Sequence, residues 1–153
     1  MGASLHSNSL THRVSTRKDR LRECVAARIV NDLAGSGAAE AASSIFLFVI
    51  SAPPNRLEHI THLMFADLLP QANYHILEAI QYLSGDRVRL LKTHFEFIDE
   101  DVCEEVSPSQ VSRACTTGTF YHPESGEAVE DFMDRIFMYF TPSSLARRIA
   151  TVK

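Results

Sequence analysis

Three cysteines, Cys24, Cys103 and Cys115, are all that this chain of 153 residues contains. The number is odd and the spacing is wide, which argues against a disulfide framework and fits a reducing compartment such as the cytoplasm. Long apolar runs are missing too. The densest, Ile45 to Ile50, is far short of the roughly 18 residues a membrane span requires, so no span is expected. The first twenty residues lack the apolar block of a secretory signal, and His6 stands where an N-myristoylation motif needs Ser or Thr. There is no glycine-rich phosphate loop, no G-x-S-x-G elbow and no kinase signature, which removes the enzyme classes most easily read from sequence. An excess of positive charge is also absent. The net charge of −4 and a pI near 5.9 argue against a protein whose main work is to coat nucleic acid.

What is present describes an ordinary globular chain, with 45% hydrophobic and 22% charged residues. At this length roughly two-thirds of the unfolded surface can be buried, enough for a core without metal or disulfide staples. One domain over residues 17–153 is expected. Residues 1–16, rich in Ser, Asn and Thr, read as a flexible N-terminal arm. Such an arm also begins some proteins delivered by specialised secretion systems, so the expected location is the cytoplasm, or another cell's cytoplasm if the arm is a secretion signal.

Ser15 or Thr16 is placed to cap a first helix reaching about Leu33, with Leu21, Cys24, Val25, Ile29 and Leu33 as its apolar stripe. Cys24 is read there as a small core residue. Arg17, Lys18, Arg20 and Arg22 crowd the start of this helix, where cations oppose the macrodipole. Gly35-Ser36-Gly37 then permits a reversal. Ala38 to Ile50 is apolar on all sides and central; its apolar run fits a buried strand or a buried helix, and the Ala-rich, Glu-containing stretch before it favours the helix. The stretch from Leu57 to Leu83 predicts two amphipathic helices joined at Pro70. The first carries Leu57, Ile60, Leu63, Met64, Asp67 and Leu68 at three-and-four spacing; the second carries Ile76, Leu77, Ile80 and Leu83 and stops at Gly85.

Past Gly85 the pattern changes to alternation. Leu91, Thr93, Phe95 and Phe97 point one way, with Lys92, His94 and Glu96 between them, which predicts a strand within residues 88 to 98. Glu96, Asp99, Glu100, Asp101, Glu104 and Glu105 then make the densest acidic patch in the chain. They lack the oxygen-ligand spacing and turn glycine of a calcium loop, and read as a solvated face suited to a basic partner. Residues 119–129 predict a β-hairpin. Val129, Phe132, Met133, Ile136, Phe137 and Phe140 share one face of a predicted helix, followed by a second helix capped by Thr141 with Pro142 in its first turn. The fold class expected from these elements is α+β and predominantly helical, with several amphipathic helices, a short β element and one β-hairpin.

Two short resemblances bear on function. Val106 to Ala114, V-S-P-S-Q-V-S-R-A, resembles the turn and recognition helix of helix-turn-helix regulators, and the following hairpin would be a wing. The resemblance implies DNA contact by Ser109, Gln110 and Arg113. The chain departs from that pattern at Asp101, where the preceding helix normally buries a small residue, and at Glu105, where the turn usually has Gly. Arg56-Leu57 with Leu69-Pro70, Asn73 and Leu77 resembles a segment of Rho GTPase-activating domains. No Gly-x-x-Arg loop precedes it, so that activity is not carried over.

His59, His62 and His75 do not have the i, i+4 spacing of a helical zinc enzyme, and no cofactor or metal ligand set is expected. A small enzyme with a Cys/His site, assembled from Cys103 or Cys115 and a distant histidine, is a third reading. The reading preferred on sequence is a non-enzymatic regulatory or adaptor protein that binds another protein, with oligomers possible. Its expected partner-binding residues are Phe137, Met138, Tyr139 and Phe140 with Glu100, Asp101 and Glu104. A winged-helix DNA-binding regulator is the alternative.

Overall fold

The structure, a computed structural model, describes residues 15–151; the segment assigned to the N-terminal arm lies outside them except for Ser15 and Thr16. The described residues form six α-helices and a three-stranded antiparallel sheet in an α+β arrangement. Helix α1 (Arg17–Asp32) begins as expected at Thr16, whose hydroxyl accepts from the Asp19 amide while the Asp19 carboxylate accepts from the Thr16 amide. This reciprocal box satisfies two amides that no intrahelical carbonyl can reach. Val25 and Ile29 are buried, whereas Cys24 is exposed. The stripe is therefore narrower than the sequence suggests, and Cys24 falls just outside it.

Helix α2 (Ala38–Ser51) is the centre of the molecule, with contacts to α1 and to the helices over residues 73–84 and 144–149. Ala38, Ala41 and Ala42 are fully buried, as is Ala79 on α4 (Asn73–Ser84). Side chains this small let the α2 and α4 backbones approach closely, and Ile45, Phe46, Val49 and Ile50 fill the space farther along. The helix expected to be apolar on every side is exposed at Glu40 and Leu47.

The expected helix from Leu57 is shorter than its pattern. A 3-10 turn occupies Pro54–Arg56, and α3 spans only His62–Leu68, capped by Thr61. Ile60 is not helical because its backbone is used elsewhere. Its N–H donates to the Phe140 carbonyl at 3.0 Å and its carbonyl accepts from the Phe140 N–H at 2.8 Å. Leu63 and Leu68, expected inside, are exposed, while Phe65 is the buried side chain of α3. On α4 Ile76, Ile80 and Leu83 are buried as expected, but Leu77 is 51% exposed.

The sheet has the order β2–β1–β3, with β1 (Leu91–Ile98) in the middle, β2 (Cys103–Val106) on one side and β3 (Ile136–Pro142) on the other. Strand β1 is where the alternation places it. Strand β3 corrects the largest error of the sequence reading, which has a helix running through Phe140. Residues 136–142 pair antiparallel along almost the whole of β1, from Leu91↔Pro142 to Phe97↔Ile136. A dense run of aromatic and β-branched residues fits either period, and the unpaired side of β1 decides between them. Only Phe132–Asp134 of the expected helix is helical, as a 3-10 turn. Thr141 and Pro142 end the strand, and Ser143 caps the last helix, α6 (Ser144–Ile149).

Two hydrophobic clusters result. The larger lies among α1, α2, α4, α6 and the adjoining end of the sheet and includes Leu91 and Phe140. The smaller is built from Phe97, Val102, Val106, Ala114 and Phe120. It lies under α5 (Pro108–Thr117), which Ser107 starts through a capping box with Gln110 and Gly118 ends in the left-handed conformation at φ 77°. The predicted 119–129 hairpin is a loop closed by one bridge, Tyr121↔Ala128, and by bonds from the His122 and Val129 amides.

Candidate surface on the open face of the sheet

Strand alternation sends Lys92, His94 and Glu96 of β1, Cys103 and Glu105 of β2, and Phe137, Tyr139 and Thr141 of β3 to the same face. Among the described residues no helix covers this face, and several of its polar groups are bonded to one another. His94 Nδ1 lies 2.8 Å from Glu105 Oε1 and its Nε2 2.8 Å from Thr141 Oγ1, so one imidazole ties all three strands together. His59 reaches over from the segment before α3, with Nε2 2.7 Å from Glu96 Oε1. The Tyr139 ring lies between the two imidazoles, 4.3 Å from His59 and 4.8 Å from His94, nearly parallel to both. Burial, followed by the neighbouring charges of Glu105 and Glu96, raises the phenol's pKa above its ordinary value. The phenol is held neutral, and the face is a stiff aromatic and carboxylate surface.

The turn between β1 and β2 is fixed separately. Asp99 accepts from the backbone N–H of Asp101 and from His122 Nε2 at 3.0 Å, and both keep its carboxylate below its usual range. His122 Nδ1 accepts from the amides of Glu124 and Ser125, so its proton sits on Nε2 and points at Asp99. Glu100 and Asp101 are thereby held out at the tip of a rigid turn, and both are exposed.

The residues expected to bind a partner are divided by this geometry. Phe137 and Met138 are about half exposed, on opposite faces of β3. Tyr139 is partly covered by the two imidazoles. Phe140 is 4% exposed and belongs to the larger core, so it is not available to a partner. Glu100, Asp101 and Glu104 are all exposed at one end of the sheet. Met138 borders a groove of about 450 Å³ with His62, Leu77 and Thr93.

The residues of the DNA reading sit on the first turns of α5. Gln110 and Ser109 are engaged with Ser107, Gln110 through its side-chain oxygen on the Ser107 amide. Arg113 lines a shallow cleft with Gln110, Thr117 and Tyr121. Their surroundings are strongly acidic. Residues 91–135 hold eleven of the nineteen Asp and Glu but only three of the fifteen Lys and Arg, so the rest of the chain carries twelve cations against eight anions. Phosphate is repelled by such a lobe.

For the Cys/His reading, Cys103 Sγ faces Glu96 Oε2 and Cys115 Sγ faces Met133 Sδ, each at 3.9 Å. Neither thiol hydrogen-bonds an imidazole among the described residues, and no group of three His, Cys, Asp or Glu among them is arranged to hold a metal. No helix among them is long and apolar enough to cross a membrane.

Comparison with known protein families, with characterised proteins and with solved structures finds none that matches this chain.

The sequence reading missed His59, His94, Tyr139 and Glu105 as a unit. The period-two placement of His94 and Glu96 is visible in the sequence. Tyr139 joins them only through the β1–β3 register, and His59 only through the Ile60–Phe140 bridge.

Proposed function

We propose that the protein is a non-enzymatic adaptor whose acidic lobe docks on a basic region of another protein. The observation that carries this reading is the segregation of charge, eleven acidic residues against three basic ones over residues 91–135. A lobe of that sign steers cationic partners and repels anionic ones. The aromatic side chain of Phe137, half exposed beside Glu96 in the sheet register, adds apolar area where charge alone would give little specificity. The internally bonded face around Tyr139 supplies a surface already in its bound shape, which reduces the ordering cost of association.

The test is titration of the isotope-labelled protein with a lysine-rich peptide at low salt, with duplex DNA of mixed sequence as the contrasting ligand. The adaptor reading expects peptide-induced shifts concentrated at Glu96, Glu100, Asp101, Glu104 and Phe137, lost at high ionic strength, and none with DNA. Shifts at Ser109, Gln110 and Arg113 on adding DNA would favour the regulator instead.

A further inference from the structure

Strand β2 is the outer strand of the sheet, and among the described residues nothing pairs with its far side. The β1–β2 turn closes with the Asp99 N–H donating to the Val102 carbonyl at 2.9 Å. From that narrow pair the antiparallel alternation runs down the ladder. It directs the amides and carbonyls of Cys103 and Glu105 away from β1, toward solvent. A free row of this kind is a template for one more strand.

What may join it is set by the side chains. Glu104 and Glu105 are exposed and, being consecutive in a strand, flank the edge on opposite faces, with Glu100 and Asp101 at its end. A second copy of this chain pairing edge to edge would set these carboxylates against their equals, which is unfavourable. A strand bearing Lys or Arg meets an opposite charge on each face. The same residues that bar self-association therefore select a cationic partner.

We propose that the edge of β2 accepts an extended Lys/Arg-containing segment of another protein as a fourth strand. This rests on the adaptor reading and adds to it the mode of recognition: main-chain hydrogen bonds at Cys103 and Glu105, with cationic side chains opposite Glu104 and Glu105. The rigid Asp99–His122 clamp and the His94–Glu105 bond hold the edge in strand geometry before the partner arrives.

The experiment uses a ten-residue peptide of Lys-Lys-Val-Val repeats, which carries Lys on both faces of a strand, and the same peptide N-methylated at every backbone amide, which keeps its charge but cannot donate to a ladder from either edge. The unmodified peptide is expected to bind, to slow amide hydrogen exchange at Cys103 and Glu105, and to bind about threefold more weakly to Glu104→Gln, which removes one cross-strand charge pair and leaves the His94–Glu105 bond in place. N-methylation is expected to abolish that protection and most of the affinity. Equal binding of both peptides would overturn strand addition and leave the acidic docking surface standing. Failure of both to bind would overturn the adaptor reading as well.

Discussion

Arg87 holds Asp32 through two parallel bonds, Nε to Oδ2 at 3.0 Å and Nη2 to Oδ1 at 2.9 Å, across 55 residues of sequence. The pair fastens the end of α1 to the loop between α4 and β1, and Tyr82 adds a 2.6 Å bond from its hydroxyl to Asp32 Oδ2. Arg87 first, and the Tyr82 hydroxyl second, lower the carboxyl from its ordinary 3.8 to about 2. A carboxyl lowered in the folded state stabilises it above the unfolded value, and that contribution is lost as pH falls from about 4 through 2. Asp32→Asn is therefore expected to be less stable than the wild type at pH 6, with the two thermal midpoints converging as pH drops toward 2. A gap that stays constant across that range would show that the pair does not carry the effect.

Tyr82 gives the alkaline counterpart. Its hydroxyl is raised to about 12, by burial first and by the hydrogen bond to Asp32 second. A raised acid keeps its proton longer in the folded state, so its contribution is present below the unfolded value of 10 and is lost as pH rises through 12. Tyr82→Phe is expected to flatten the alkaline limb of a stability profile recorded by chemical denaturation from about pH 9 to 12.

The helical half of the fold is legible in the sequence because its signals are local. Thr16 and Ser107 announce their helices by side-chain oxygens three residues from the amides they serve, and the run from Ala38 to Ile50 reads as central because it is apolar almost throughout. The sheet is legible only at β1, whose alternation is in its own sequence. Strand β3 is not, since Ile136 to Phe140 offers apolar side chains at every spacing and its conformation is set by the free side of β1, some forty residues earlier. The candidate surface inherits that difficulty. Glu100, Asp101 and Glu104 are visible as a run of charge, whereas the placing of Tyr139 between His59 and His94 exists only once three separate segments are brought into register.

Gly37 provides a test of packing between α2 and α4. A Cβ built at this residue would stand 2.3 Å from His75 Nε2 and 2.4 Å from its Cε1, so the imidazole must move for any other residue to fit. Gly37→Ala is expected to cost roughly 1–3 kcal/mol by overpacking. His75→Ala in the same chain removes the obstruction, so the double variant should be more stable than the sum of the single changes predicts. Urea denaturation of the four proteins measures that coupling, and a purely additive result would mean that the ring swings aside at no cost.

Tyr139 tests the stiffness of the open face. Its ring contributes two stacked contacts with imidazoles, each worth roughly 0.5–1.5 kcal/mol beyond burial. Tyr139→Leu keeps a large apolar side chain and loses both stacks, with an expected cost of about 1–3 kcal/mol by the same reckoning. The sharper readout is local. Amide exchange at Ile60 and Phe140, whose mutual bonds hold the segment before α3 to β3, should accelerate more than exchange in α2.

Phe137 and Phe140 make the final contrast, because three residues of one strand separate a surface aromatic from a core one. Phe137 is 48% exposed on the open face, and Phe140 is 4% exposed against the larger hydrophobic cluster. Removing a buried phenylalanine side chain costs the transfer of its ring and the cavity left behind, roughly 3–5 kcal/mol. Phe140→Ala is accordingly expected to lose a large share of the domain's stability, while Phe137→Ala should change it by less than about 1 kcal/mol because half of its area is already in water. If the open face is the docking surface, Phe137→Ala weakens binding of the lysine-rich peptide at unchanged thermal stability. A larger loss of stability from Phe137→Ala than from Phe140→Ala would mean that β3 is turned over relative to the β1 register, and would remove Phe137 from the surface altogether.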